Sequence, residues 1–420
     1  MTDQEQLIIV GAGHAAGQLA VSLRQAKYPG HITVLGDEAH PPYQRPPLSK
    51  AYLAGDLPAE RLLLKPAKWY PENAVDMELE TRVTAVATDT KTVSLATRTG
   101  ELHTLPWDKL VLATGSRVRE LTLPGNELPG VHYLRTVADV DQIREEFQGA
   151  KRLVVVGGGY IGLEVAAVAR KHGLDVHVVE MMDRLLSRVV SPVLSEFYLR
   201  VHEDAGVQFH LQTGVSGFAG DDRVTGVLTD TGETLAADLV IVGVGIVPNT
   251  ELAATAGIDC DNGIVVDEYC QTSHPDVLAI GDCTNHPNPL LDRRLRLESV
   301  PNALDQARTA AATLTGQRKP YAAVPWFWSD QYDLKLQIVG LTAGYDETVL
   351  RGSLDAKSFA CFYLADGRLI AVDAVNSPRE FMHSKPIVAQ QLKIPVTVLE
   401  DPDASLKEAA ETYADTALKR

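Results

Sequence analysis

The run Leu7-Ile-Ile-Val-Gly11-Ala-Gly13-His-Ala-Ala16 returns 146 residues later as Leu153-Val-Val-Val-Gly157-Gly-Gly159-Tyr-Ile-Gly162. In each copy a β-branched strand meets a glycine-rich turn, and a small-residue helix follows, predicted over 18–25 and 164–171. A second strand comes next (32–35 and 176–179), then an acid: Asp37 in the first copy, Glu180 in the second. This is the βαβ context in which G-x-G-x-x-G/A reads as a dinucleotide fingerprint. Gly11 and Gly157 allow a sharp turn, while Gly13 and Gly159 let the backbone approach a pyrophosphate. Ala16 and Gly162 are small enough for close helix–strand packing, and the helix N-terminus offers its N–H groups to the phosphates. A lone motif of this kind is weak; two in register, each with strand, helix and acid, are strong.

The repeat extends further. Asp108-Lys-Leu-Val-Leu-Ala113-Thr114-Gly115 parallels Asp238-Leu-Val-Ile-Val-Gly243-Val-Gly245, each a strand running into a glycine turn. Hairpin patterns precede both, at 83–97 and 215–229, with a Thr-Gly-Glu turn at 99–101 and again at 231–233. Each half therefore reads as a Rossmann unit, a small antiparallel meander and a closing strand. Beyond Pro248, strands are expected at 263–267 and 276–280. The second leads into Gly281-Asp282, which would put a carboxylate at a sheet's C-terminal edge. A helix is expected over 301–314, with Pro301 in its first turn. From 324 the pattern changes to hairpin strands (337–341, 348–352, 359–364, 369–375), and a short acidic helix closes the chain at 405–419. The expected fold class is α/β, with two Rossmann-like nucleotide-binding domains, each carrying a meander, and a C-terminal α+β domain. The expected boundaries are 1–112 with 244–323, then 113–243, then 324–420.

Composition excludes several functions. The formal net charge of −16 argues against nucleic-acid binding, which depends on neutralising phosphates with Lys and Arg. No apolar run approaches the roughly 18 residues needed to span a bilayer. The first six residues lack the basic flank and apolar core of a secretory signal, so a cytoplasmic location is expected. Cys260, Cys270, Cys283 and Cys361 form no C-x-x-C pair, and no His/Cys cluster has metal-ligand spacing. Against the acidic background, 284–320 holds six basic residues and three acidic ones. Arg293, Arg294 and Arg296 in that stretch are a candidate docking face for an acidic partner.

Four further motifs carry a family resemblance: Arg45-Pro-Pro47-Leu-Ser-Lys50, Gly157-Gly-Gly-Tyr160-Ile161-Gly-Leu-Glu164, Glu298-Ser-Val300-Pro-Asn-Ala303 and Pro325-Trp-Phe-Trp328-Ser-Asp-Gln-Tyr332. With them the whole chain resembles the FAD-dependent pyridine nucleotide-disulfide oxidoreductases, and within them the oxygenase-coupled NADH–ferredoxin reductases. The resemblance implies FAD on the first repeat and NAD on the second. Carried over by position, it implies FAD contacts from Gly11, Gly13, Ala15, Ala16, Asp37, Arg45, Pro47, Lys50, Val83, Ala113, Thr114, Gly115, Arg135, Gly281, Asp282, Val300, Pro301 and Trp328. NAD contacts would come from Gly157, Gly159, Tyr160, Ile161, Gly162, Glu180, Gly243 and Gly245. Asp37, rather than its neighbour Glu38, would hold the adenosine ribose, and Asp282 the ribityl chain. Lys50 and Glu164 would pair close to the flavin, and Trp328 would sit beside the nicotinamide; these three are the candidate catalytic residues.

The chemistry needs positioning more than covalent catalysis: a hydride donor within about 3–3.5 Å of its acceptor. A helix starting near Pro301 would aim its positive end at the reduced ring, a stabilisation on the order of 1 kcal/mol. Glu180 would accept from ribose hydroxyls and repel a 2′-phosphate, favouring NADH. Disulfide reductases of this fold use a cysteine pair and the related oxidases a single cysteine, yet residues 37–60 contain none. Electrons would then leave from the flavin itself, one at a time, to a small acidic 2Fe–2S ferredoxin serving a P450 or Rieske oxygenase. Other acceptors (rubredoxin, a haem protein, a quinone) keep the same chemistry. A signalling flavoprotein like apoptosis-inducing factor is the alternative from another class. A monomer or weak homodimer is expected.

Overall fold

The computed structural model describes residues 4–417, with side chains to residue 414. The chain divides into two compact units. The first comprises Met1–Gln44, Ala59–Arg117 and Ile246–Ala323; the second comprises Arg45–Pro58, Val118–Gly245 and Val324–Arg420.

In the first unit five parallel strands form a sheet in the order Val277–Ala279, Lys109–Leu112, Gln6–Val10, His31–Leu35, Val75–Glu78. The run Leu7-Ile-Ile-Val is apolar throughout because both faces of this sheet are covered. Leu7 and Ile9 pack with helices His14–Gln25 and Val300–Leu314 on one side. Ile8 and Val10 pack on the other with the meander of Thr81–Ala87, Thr92–Thr97 and Leu102–Pro106.

The second unit repeats the plan. Its parallel sheet runs Val207–Leu211, Asp175–Glu180, Arg152–Val156, Leu239–Val242, Val131–Tyr133. A meander of Val215–Ala219, Gly226–Thr229 and Thr234–Ala236 packs on Val154 and Val156. The unit also holds a five-stranded antiparallel sheet ordered Trp326–Gln331, Leu334–Gly340, Arg368–Val375, Ser358–Ala365, Glu347–Ser353. Helices Pro378–Ala389, Val396–Glu400 and Leu406–Ala417 share a core with one face of this sheet. The other face packs against helix Pro192–Asp204. Residues Arg45–Pro58 join this unit through a short 3-10 helix, Pro46–Ser49. Tyr52 donates to Asp141 and Lys171 pairs with Asp56.

Both fingerprint helices start four residues before the positions expected from the sequence, at His14 and Tyr160, because Gly13 and Gly159 are their N-caps. Strand Trp326–Gln331 and helix Pro378–Ala389 were not anticipated. Pro386 inside that helix interrupts the helical pattern. Among the described residues no helix is long and apolar enough to cross a membrane.

Candidate functional site

The glycines of each turn separate into those the fold requires and those it does not. Gly11 has φ +105°, and a Cβ there would lie 2.3 Å from the Ala113 carbonyl oxygen. Gly157 matches it, with φ +110° and a Cβ position 2.4 Å from the Gly243 oxygen. A Cβ on Gly162 would come 2.2 Å from the Gly157 oxygen, which accounts for the small third position. Gly13 and Gly159 differ: both have negative φ and open space around an added Cβ. Each is the N-cap of its helix and makes no side-chain cap bond, so the backbone of the first turn faces the open space beside the glycine. A surface that needs glycine for no internal reason and presents helix N–H groups fits a bound pyrophosphate.

In the first unit, Asp37 lies just past the end of strand His31–Leu35, with Arg82 3.4 Å from its carboxylate. It lines a cleft with Ala39, Glu80, Arg82, Thr97 and Arg98. Its neighbour Glu38 accepts from the Tyr43 hydroxyl at 2.5 Å. Val83 is largely buried in the core under the meander. Turn 113–115 is tied to Asn249: the Thr114 hydroxyl donates to the Asn249 carbonyl at 2.7 Å, and the Asn249 amide donates back to the Thr114 carbonyl at 2.9 Å. Ala15 is buried, and a Cβ on Gly281 would meet its methyl at 3.2 Å. The Ser116 hydroxyl donates to Asp282 at 3.0 Å. Sequence reasoning missed Gln306, whose buried amide oxygen accepts from Gly281 N–H at 2.7 Å and the Thr284 hydroxyl at 3.0 Å. It fixes the Gly281-Asp282 turn from helix Val300–Leu314, and no motif in the sequence signalled it. That helix carries Pro301 in its first turn, and Ser299 caps it by accepting from Asn302 N–H.

Of the three arginines expected to face a partner, Arg294 donates to the backbone oxygens of Val266 (2.6 Å) and Asn285. Arg296 pairs with Glu298 and donates to Asn262 at 3.1 Å. Both hold loops of the first unit together; Arg293 is exposed on the short strand Arg293–Leu295.

In the second unit, both oxygens of Glu180 accept backbone N–H groups, from Gly158 at 2.7 Å and Met182 at 2.8 Å. These bonds fix the carboxylate at the end of strand Asp175–Glu180 and leave further lone pairs for hydroxyl donors. Ile161 is 42% exposed at the start of its helix, an apolar surface beside the open Gly159. Tyr160 packs on Phe327 at 5.0 Å, and its buried hydroxyl has no hydrogen-bond partner among the described residues. Burial pushes that phenol well above its ordinary range. Gly243 and Gly245 form the turn after strand Leu239–Val242, and Gly245 adopts φ +103°.

Lys50 and Glu164 are brought together: Lys50 Nζ lies 2.7 Å from Glu164 Oε2, and the carboxylate is 3% exposed. Lys50 follows the helical turn containing Pro47, and Arg45 anchors that turn's start by donating to the Arg135 carbonyl at 2.7 Å. Trp328 is not brought to them. Alternation along strand Trp326–Gln331 puts Trp326, Trp328 and Asp330 on one face, lining a cleft with Lys335, Gln337 and Asn376. Phe327, Ser329 and Gln331 take the opposite face, where Ser329 meets Glu164.

The cysteines are free thiols: Cys260 exposed, and Cys270, Cys283 and Cys361 buried. Burial raises all four pKa values, that of Cys361 to about 12, so none is a poised thiolate.

Paired βαβ units, each with an open glycine at the start of its first helix, define a protein built to bind two dinucleotides. The chain belongs to the pyridine nucleotide-disulphide oxidoreductase family, whose model matches residues 5–307, and a reductase C-terminal domain model matches 326–410. It is 46% identical to rhodocoxin reductase of Rhodococcus erythropolis over 411 residues, covering 98% of this chain and 95% of that one. It resembles the crystal structure of the ferredoxin reductase for the CYP199A2 system from Rhodopseudomonas palustris with a TM-score of 0.93 and 44% identity, covering 97% of this chain and 100% of that one. The covalent putidaredoxin reductase–putidaredoxin complex gives the same TM-score and identity, covering 98% of this chain and 99% of that one.

Proposed function

We propose that this chain is an NADH-dependent ferredoxin reductase with FAD as its resident cofactor. The flavin, when bound, accepts a hydride and gives up electrons singly; the chain's residues bind, orient and tune. Residues 1–112 with 244–323 would hold FAD, with Gly13 under the pyrophosphate, Asp37 toward the adenosine ribose and Asp282 toward the ribityl chain. Residues 113–243 would hold NADH over Gly159 and Glu180, and 324–420 would complete the protein. Lys50, anchored by Glu164, would supply a fixed positive charge to the flavin.

The observation that carries the acceptor assignment is the state of the thiols: all four have raised pKa values, and none lies in residues 37–60. A disulfide relay needs a reactive thiolate, so single-electron exit from the flavin fits better. Similarity at full length to reductases named for rhodocoxin and putidaredoxin points the same way. The partner would be a small acidic 2Fe–2S ferredoxin, the enzyme a cytoplasmic monomer or weak homodimer. Steady-state assays with NADH against a panel of 2Fe–2S ferredoxins, a rubredoxin and a small disulfide test this. Fast turnover with a ferredoxin and none with the disulfide is expected; disulfide reduction, or negligible turnover with every acceptor, contradicts it.

A further inference from the structure

Glu164 ends a longer buried structure than an ion pair. Ser329 and Gln331 lie two apart on strand Trp326–Gln331 and share its inner face, where both are fully buried. His202, on helix Pro192–Asp204, is fully buried too. The Ser329 hydroxyl donates to Glu164 Oε1 at 2.6 Å, and Gln331 Nε2 donates to Ser329 Oγ at 3.2 Å. His202 Nε2 lies 2.9 Å from Gln331 Oε1, and the Tyr332 hydroxyl 3.0 Å from His202 Nδ1. An amide oxygen only accepts, so His202 carries its proton on Nε2, and Nδ1 accepts from Tyr332. Burial lowers the His202 pKa to about 4, which keeps the ring neutral with one donor and one acceptor. From the other side, Ser49 and Lys50 donate to Glu164 Oε2. Every hydrogen in the chain points toward the carboxylate, and bonds aligned head to tail polarise one another.

The backbone at the outer end is independently unusual. Tyr332 begins the two-residue turn between paired residues Gln331 and Leu334, with φ +53°. Hairpin turns reserve such positions for Gly, Asn or Asp, and a bulky aromatic there costs energy. The conformation sets the Tyr332 ring edge-on to His202, with centroids 4.9 Å apart and the hydroxyl on Nδ1.

We propose that Ser329, Gln331 and His202, with Tyr332 as the outer end, are positioning residues. They hold the Glu164 carboxylate in one orientation, and thereby fix the position of the Lys50 ammonium for flavin reduction. The inference rests on the assignment of Lys50 to the flavin. Without a donor on Oε1, the buried carboxylate is left with an unsatisfied oxygen and turns toward other donors, and Lys50 loses its fixed anchor.

The test is anaerobic stopped-flow reduction of the FAD-loaded enzyme by NADH. Ser329→Ala should slow the limiting rate about tenfold with little change in the NADH concentration for half-saturation. Tyr332→Phe, which removes one peripheral hydroxyl and keeps the ring, should slow it about two- to threefold and serves if Ser329→Ala does not fold. In a Lys50→Met background neither substitution should add more than about twofold, since coupled residues are non-additive. Parent-like rates in Ser329→Ala and Tyr332→Phe, or full additivity with Lys50→Met, would overturn the positioning chain while a slow Lys50→Met enzyme keeps Lys50 at the flavin. An unaffected Lys50→Met enzyme overturns the assignment itself.

Discussion

Lys50 Nζ sits 2.7 Å from Glu164 Oε2, and the two positions are 114 residues apart in the chain. Glu164 is buried, so the pair matters to folding as well as to chemistry. Lys50→Met removes the only cation within salt-bridge distance of Glu164 among the described residues. Breaking a buried pair from one side costs roughly 3–5 kcal/mol. The donors Ser49 and Ser329 and the partial exposure of Lys50 put this case below that range, at roughly 2–3 kcal/mol. Urea unfolding should show Lys50→Met destabilised and the double variant Lys50→Met/Glu164→Gln recovering much of the loss.

The two kinds of glycine predict opposite phenotypes. Gly11→Ala and Gly157→Ala put a methyl inside a carbonyl contact at positive φ, so folding should suffer. Gly13→Ala and Gly159→Ala meet no protein atom, so their stability without nucleotides should match the parent. Gly13→Ala should purify with sharply reduced FAD. Gly159→Ala should keep its FAD and raise the NADH KM about tenfold, or about 1.4 kcal/mol of binding. FAD absorbance per polypeptide and steady-state KM check both.

NADH should be preferred over NADPH by at least about tenfold in kcat/KM, on the order of 1.4 kcal/mol. Glu180→Ala should narrow that ratio. Because Glu180 also holds the N–H groups of Gly158 and Met182, Glu180→Gln is the cleaner variant: one acceptor survives while the charge that repels a 2′-phosphate is gone. Equal efficiencies in the parent enzyme would contradict the reading of Glu180.

Asp373 should give the fold a pH dependence. Burial pushes its carboxyl up to about 7, against the pull of the Tyr363 hydroxyl, and Oδ1 has no hydrogen-bond partner among the described residues. In an unfolded chain the group ionises near 3.9. Between about pH 4 and about pH 7 the folded state therefore holds a proton that the unfolded state has lost. The stabilisation is full below that window and is lost as pH rises through it. Asp373→Asn cannot ionise, so its unfolding free energy from urea titration, relative to the parent, should rise from pH 5 to pH 8 by on the order of 2–3 kcal/mol. A pH-independent difference would refute this.

Much of the fold was legible because the repeat is local: glycines, strand periods and terminal acids lie within about thirty residues of one another, as a βαβ unit requires. Even so, both helices begin four residues earlier than expected, since a glycine cap looks like a continuing turn. The pairing of Lys50 with Glu164 followed from resemblance alone. Its surroundings did not, because Ser329 and His202 lie 165 and 129 positions from the residues they bond. Gln306 was hidden for the same reason, acting on a turn 25 positions away. The bonds of Arg294 to backbone oxygens of neighbouring strands and loops were not legible either, because composition does not register them.

In the proposed enzyme electrons pass from NADH to the flavin and out without a sulfur relay. The direct measurement is ferredoxin reduction by NADH after treatment of the native enzyme with excess iodoacetamide, with the modified cysteines counted and FAD content verified. Turnover within about twofold of the untreated enzyme is predicted, since three thiols are buried and none is a poised thiolate. Loss of turnover in step with thiol modification, or a purified protein that carries no flavin, would contradict the account.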